Sequence, residues 1–169
     1  MATLIRTWLG LGALGAGLVH LAVAAGAKPA ALALLAVIGA AEVVWGVTAL
    51  ARERVPVPRL ALGGAAAAVV GVAGVLVLRA GAMSHIAMTT AGPIAGVPPV
   101  PMLGAAVLEL GCAGGLAVVV RRGDRESPQP GVWTYLGGVS AGAAVIAAIT
   151  TASLGATPLG ALGMPGLGH

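Results

Sequence analysis

Four side chains in this sequence can handle protons or cations and sit where such chemistry is costly to place. They are His20 in GLVHLAVA, Glu42 in GAAEVVWG, Arg79 in VLVLRAG and Glu109 in AAVLELGC. Imidazole gains and loses a proton close to neutral pH, a carboxylate accepts protons or cations, and guanidinium stays charged. In a bilayer centre Asp, Lys or Arg costs about 2.5–3.5 kcal/mol on the insertion scale, and glutamate escapes a similar cost by pairing or by staying protonated. Three of the four lie on stripes of small residues at helical spacing. His20 shares its stripe with Gly12, Ala16 and Ala24, Glu42 with Gly39, Gly46 and Ala49, and Glu109 with Ala105, Ala106, Cys112 and Ala113. Small residues mark helix contacts in lipid, so all three point inward. With a helical rise of about 1.5 Å per residue, His20 and Glu109 fall at one level, roughly 10 Å below the external surface, with Glu42 several ångströms deeper. Arg79 reaches down from the external end of its helix. The expectation is an intramembrane cluster of His20, Arg79 and Glu109 with Glu42 beneath it.

A second group has softer chemistry. Apart from Met1, the methionines Met83, Met88, Met102 and Met164 lie in or at the edge of two polar, proline-containing segments, together with His85 and His169. Thioethers and imidazole suit monovalent copper, so Met83, His85, Met88, Met164 and His169 form a candidate copper-binding face. Methionine is also a gap filler at apolar interfaces. Copper is the one cofactor that these residues raise, since a bis-histidine haem would need a second intramembrane histidine. No catalytic residues are expected: phosphate-loop and zinc-protease motifs are absent. Ser140, Thr150, Thr151 and Ser153 lack a histidine partner in sequence and are expected to bond their own helix backbone.

The elements that must position these groups follow from composition. Hydrophobic residues make up 59% of the 169 positions and charged residues 8%, against about 25% charged in a soluble domain. Mean hydropathy is +1.03. A crossing helix needs about 20 mainly apolar residues, and five runs qualify, at about 7–27, 30–51, 60–80, 102–120 and 131–155. The expected fold is an all-α polytopic bundle of five transmembrane helices forming a single domain. An external loop at 81–101 follows from Pro93, Pro98, Pro99 and Pro101, which forbid a continuous helix. An external tail covers 156–169. The first run also has a signal-like layout, with Arg6 ahead of the apolar stretch and AVAAGA before Lys28, but its apolar part is long for a signal core.

Orientation follows from the basic residues, which cluster between the runs rather than forming a nucleic-acid-binding stripe. With the N-terminus cytoplasmic, Arg6, Arg52, Arg54, Arg59, Arg121, Arg122 and Arg125 fall inside, and only Lys28 and Arg79 fall outside. Trp8, Trp133 and Tyr135 then sit at the cytoplasmic boundary, where amphipathic rings prefer to lie. The C-terminus is extracytoplasmic and the location is the plasma membrane. The single cysteine, Cys112, excludes an intrachain disulfide.

The HL of GLVHLAVA, the arginine closing VLVLRAG before a Gly- and Pro-rich loop, and the LEL of GAAVLELGC resemble a group of small multi-pass membrane proteins of high-GC Gram-positive bacteria. The likeness covers about residues 10–120. It implies membrane location and draws attention to His20, Arg79 and Glu109, without implying an activity. The functional expectation is a small accessory or assembly subunit of a larger membrane complex, because Gly- and Ala-rich helices invite other helices. Its partners would be lipid, other membrane subunits or further copies of itself, with no nucleic acid. The alternative is handling of protons, cations or copper through the intramembrane cluster and the external Met/His face.

Overall fold

The computed structural model describes residues 2–52, 54–81, 97–122 and 131–157; of residues 2, 75, 76 and 78–81 it describes the backbone alone. The described residues form five helices: α1 (Ala2–Ala25), α2 (Pro29–Ala51), α3 (Pro58–Gly81), α4 (Pro99–Arg122) and α5 (Val132–Gly155). Four of them, α1, α2, α4 and α5, are long and apolar enough to cross a membrane, while the described apolar stretch of α3 runs from Pro58 to Gly74. Large aliphatic residues stand exposed around the bundle, among them Leu34, Val37, Leu60, Val70 and Val145. That outward apolar girdle is the surface of a membrane protein.

Prolines set three of the helix starts. Pro29 is the first residue of α2, preceded by the extended Lys28, because proline needs no amide partner in the first turn and forces its predecessor out of helical geometry. Pro58 is likewise the first residue of α3, but its predecessor Val57 has a φ of 40° instead of an extended backbone. At α4 the structure differs from the sequence expectation: Pro99 and Pro101 belong to its first turn, not to the loop. Both occupy positions whose amides have no intrahelical acceptor, so the proline-rich PPVP starts the helix.

α1 is the central helix. It packs on α2, α4 and α5, whereas among the described residues α3 packs on α4 alone. Gly10 and Gly17 of α1 face Gly46 and Gly39 of α2. A Cβ at Gly17 would stand 2.7 Å from the Gly39 carbonyl oxygen, one at Gly39 2.8 Å from that of Gly17, and one at Gly46 2.8 Å from that of Gly10. Glycine at all four positions brings the two backbones into direct contact over two turns. On the other side, Gly138 and Gly142 of α5 seat Leu4 and Trp8 of α1, and the Trp8 indole N–H donates to the Gly138 carbonyl at 3.0 Å. Two hydroxyl residues of α5, Thr150 and Ser153, serve this packing. Thr150 Oγ1 lies where a side chain on Gly15 would go, and Ser153 Oγ where one on Gly104 would go. Thr150 Oγ1 makes no hydrogen bond among the described residues, contrary to the backbone bond expected of it, because the hydroxyl is turned toward the glycine of its neighbour.

The aliphatic core lies at the level of the α1–α2 turn. It contains Val19 and Val23 of α1, Leu35 of α2, Val72 of α3, and Met102 and Ala105 of α4. Met102 is therefore a packing residue. A second cluster around Leu9, Cys112 and Leu116 includes Trp45 and Leu62 at its edge. The Trp45 indole N–H donates to the Pro56 carbonyl at 3.0 Å and so ties α2 to the turn that enters α3.

Substituting Gly39 by leucine should cost about 1–3 kcal/mol or more, since a side chain there overpacks against backbone. Gly63→Leu, at a position with nothing within 4 Å, should change stability by about 0.5 kcal/mol or less. Unfolding in mixed micelles compares the two; equal costs would contradict the close α1/α2 contact.

Candidate functional site

The α1/α2 glycine contact places His20 beside α2. A Cβ on Gly39 would lie 3.1 Å from the His20 Cβ, so the imidazole emerges against the turn that carries Glu42. His20 Nδ1 lies 2.8 Å from Glu42 Oε2. On the opposite edge of the ring, His20 Nε2 lies 3.5 Å from Glu109 Oε1. His20 and Glu109 are 2% and 3% exposed and Glu42 19%, so the chain of three runs from the bundle interior toward its partly open side.

The sequence placed Glu42 several ångströms deeper than His20, and the structure brings the two into contact. Helical side chains lean toward the N-terminus of their own helix. α1 runs antiparallel to α2 and α4, as the pairing of Gly10 with Gly46, Gly17 with Gly39 and Gly12 with Cys112 requires. Glu42 and Glu109 therefore lean in one direction and His20 in the other, which closes the estimated gap. Arg79, the fourth expected member, stands in the last turn of α3, and its side chain is outside the described residues. The candidate copper face, Met83, His85, Met88, Met164 and His169, also lies outside the described residues.

Glu109 has an unusual environment. Both of its carboxyl oxygens are buried, and neither has a hydrogen-bond partner among the described residues; the 3.5 Å approach to His20 is a contact of charge, not an aligned hydrogen bond. Glu42 already occupies the other ring nitrogen. One ring nitrogen and one oxygen of each carboxyl group lie within 4.8 Å of one another, a set of three atoms that could hold a metal ion. Each nitrogen here faces its own carboxyl group. The arrangement is a carboxyl–imidazole–carboxyl chain, the geometry in which an imidazole takes a proton on one side and gives one up on the other.

The cluster also forms part of a cavity wall, which sequence reading did not find. A cavity of about 640 Å³ lies between α2 and α3 and is floored by α1 and α4. His20, Glu42, Glu109 and Cys112 are its titratable lining residues, and the remaining wall is aliphatic or small apart from Trp45. Among the described residues α2 and α3 do not pack together, and the lining residues Leu34, Ala41, Leu60, Gly64 and Gly71 are exposed. The cavity is therefore a cleft that opens sideways through the apolar girdle. The run GGAAAA at 63–68 is the one local signal for it: α3 has no bulky side chains there to fill the gap toward α2.

No family model matches this chain, no curated protein is significantly similar to it, and no solved structure matches it significantly. The chemical reading therefore rests on the geometry of the site.

Removing the Glu42 carboxyl leaves the buried imidazole without its close partner. Glu42→Ala should cost about 1–3 kcal/mol, the penalty of an unsatisfied buried polar group. Glu42→Gln, which keeps a hydrogen-bonding oxygen, should cost less. Unfolding in detergent micelles reads the difference, and equal stability of Glu42→Ala and the parent protein would mean that the His20–Glu42 contact contributes nothing.

Proposed function

We propose that this protein handles protons inside the plasma membrane, taking up and releasing them at Glu109 through His20 and Glu42. In this reading all five helices cross the bilayer, with the N-terminus cytoplasmic and the C-terminus outside; the bias of basic residues toward one set of turns supports that orientation. The observation that carries the function is the carboxyl–imidazole–carboxyl chain, with Glu42 hydrogen-bonded to one ring nitrogen and Glu109 facing the other at 3.5 Å. Two buried carboxyl groups then share one imidazole, and among the described residues Glu109 has no N–H or hydroxyl donor. Ionisable groups placed so inside a membrane mark ion and proton pathways.

A second reading is an accessory or assembly subunit of a larger membrane complex, or a homo-oligomer. It is supported by Gly63 and Gly74 of α3 and Gly111 and Gly114 of α4, which have nothing within 4 Å. Such bare backbone in lipid accommodates another helix. The two readings are compatible, since a proton-handling site can sit in a subunit.

Infrared difference spectroscopy of the protein in nanodiscs tests the first reading. A protonated-carboxyl band should change reversibly between about pH 5 and 9, the range over which imidazole and buried carboxyl groups exchange protons. It should vanish in Glu109→Gln. A spectrum with no titrating carboxyl in that window would leave only a locked structural contact. The particle mass in mild detergent reads the second reading, for which a companion chain or a second copy is expected.

A further inference from the structure

We propose that the cleft between α2 and α3 binds a lipophilic organic cation, which enters sideways from the bilayer and takes the place of a proton on Glu109. This deepens the proton-handling reading and rests on it. Three features of the site select this ligand class.

The first is the wall. Leu34, Leu35, Ile38, Leu60 and Val72 line an almost wholly apolar space of about 640 Å³, within the range of small-molecule sites, which typically pair apolar walls with a few polar groups. A hydrated inorganic ion would exchange its water for very few oxygens here, whereas Ca²⁺ and Mg²⁺ require about six or more. An organic cation is shed from lipid without a tightly held water shell and buries its apolar groups against these side chains. The second is the mouth. The exposed lining residues Leu34, Leu60, Gly64 and Gly71 lie along the gap between α2 and α3, on the girdle itself. A ligand dissolved in the bilayer reaches the cavity without crossing water.

The third is the charge at the floor. Glu109 is 3% exposed and lines the cavity; its oxygens receive no N–H or hydroxyl donor among the described residues, and the Glu42 carboxyl stands close enough to share a proton with it. Among the described residues, the one lining group able to carry positive charge is His20, which is held at 2.8 Å by Glu42. An anionic ligand would meet two carboxyl groups, and an acyl chain would leave both Glu109 oxygens unpaired. A cation answers the need. Trp45 adds an aromatic ring to the same wall, a surface that attracts organic cations.

The exchange balances in charge. In the resting site His20 is a neutral imidazole with its proton on Nδ1 against Glu42, its Nε2 is bare, and Glu109 holds a proton that faces Nε2. When the cation arrives, the Glu109 O–H bond breaks, the carboxylate keeps the electron pair and faces the ligand charge, Nε2 takes the proton, and Nδ1 passes its own proton to Glu42, from which it leaves. One cation enters for one proton released. Among the described residues the titratable groups facing Glu109 within the cavity are His20 from α1, Glu42 from α2 and Cys112 from α4 itself.

Tetraphenylphosphonium, a permanent lipophilic cation, and tetraphenylsilane, its uncharged isostere, separate charge recognition from partitioning into lipid. Equilibrium dialysis of the full chain in nanodiscs should show about one phosphonium bound per chain above empty nanodiscs, with about one proton released in weakly buffered medium. Glu109→Gln should bind it about tenfold or more weakly, and the silane should not distinguish the two proteins. Gly71→Trp fills the cleft at a position where an added side chain meets nothing within 4 Å; it should also lose binding while keeping the titrating carboxyl band. Binding equal to that of empty nanodiscs, binding unaffected by either substitution, binding without proton release, or proton release driven by Zn²⁺ or Mn²⁺ and not by the phosphonium would each overturn the proposal. If the carboxyl band titrates and the phosphonium fails, the ligand class falls and proton handling stands. If no carboxyl titrates, proton handling itself falls.

Discussion

A low-dielectric surrounding that supplies no hydrogen bonds governs this structure. In water a histidine and two glutamates could each be satisfied separately, and their neighbours would have no reason to approach. In lipid they must find each other, and the helices that carry them must come close enough to allow it. The backbone contact of Gly10 and Gly17 with Gly46 and Gly39 provides that closeness. It sets the 2.8 Å contact between His20 and Glu42, because a larger residue at Gly39 would push His20 off α2. The packing of the first two helices and the chemistry of the site are therefore one feature.

The same constraint makes the bundle uneven. Among the described residues α1 is buried among three neighbours, while α3 leans on α4 alone. A soluble protein would close the space between α2 and α3, since leaving aliphatic walls exposed to water costs about 25 cal/mol per Å². In a bilayer that drive is missing, because lipid tails are as apolar as the walls themselves. A cleft can persist there. Among the described lining residues its polar spot is the cluster, and Glu109, which has no N–H or hydroxyl donor among them, is on its floor. In the proposed reading the cleft brings bilayer-dissolved molecules to that carboxyl group.

Small residues thus have three distinct uses along the chain. At the α1/α2 crossing they allow backbone contact. At Gly104, Gly138 and Gly142 they form notches for Ser153, Leu4 and Trp8. Along Gly64 to Gly71 they leave room that no other described side chain fills. A single compositional bias yields contact, notch and void, depending on what stands opposite.

The helices and the inward direction of the ionisable residues were legible from the sequence, because long apolar runs and the small-residue stripes around His20, Glu42 and Glu109 are local patterns with a fixed 3.6-residue period. The proline-rich opening of α4 was misread as loop, since proline breaks a helix interior but is accommodated in its first turn. The seven-residue pairing of Gly10 with Gly17 and of Gly39 with Gly46 was visible but not assignable, because spacing on one helix does not say which helix lies opposite. That Glu42 meets His20 at the same level, and that among the described residues Glu109 has no N–H or hydroxyl donor and α2 and α3 stand apart, were decided only by tertiary structure. Each depends on distances between segments far apart in the chain, and hydrophobic periodicity specifies which face of a helix is hidden without specifying what it is hidden against.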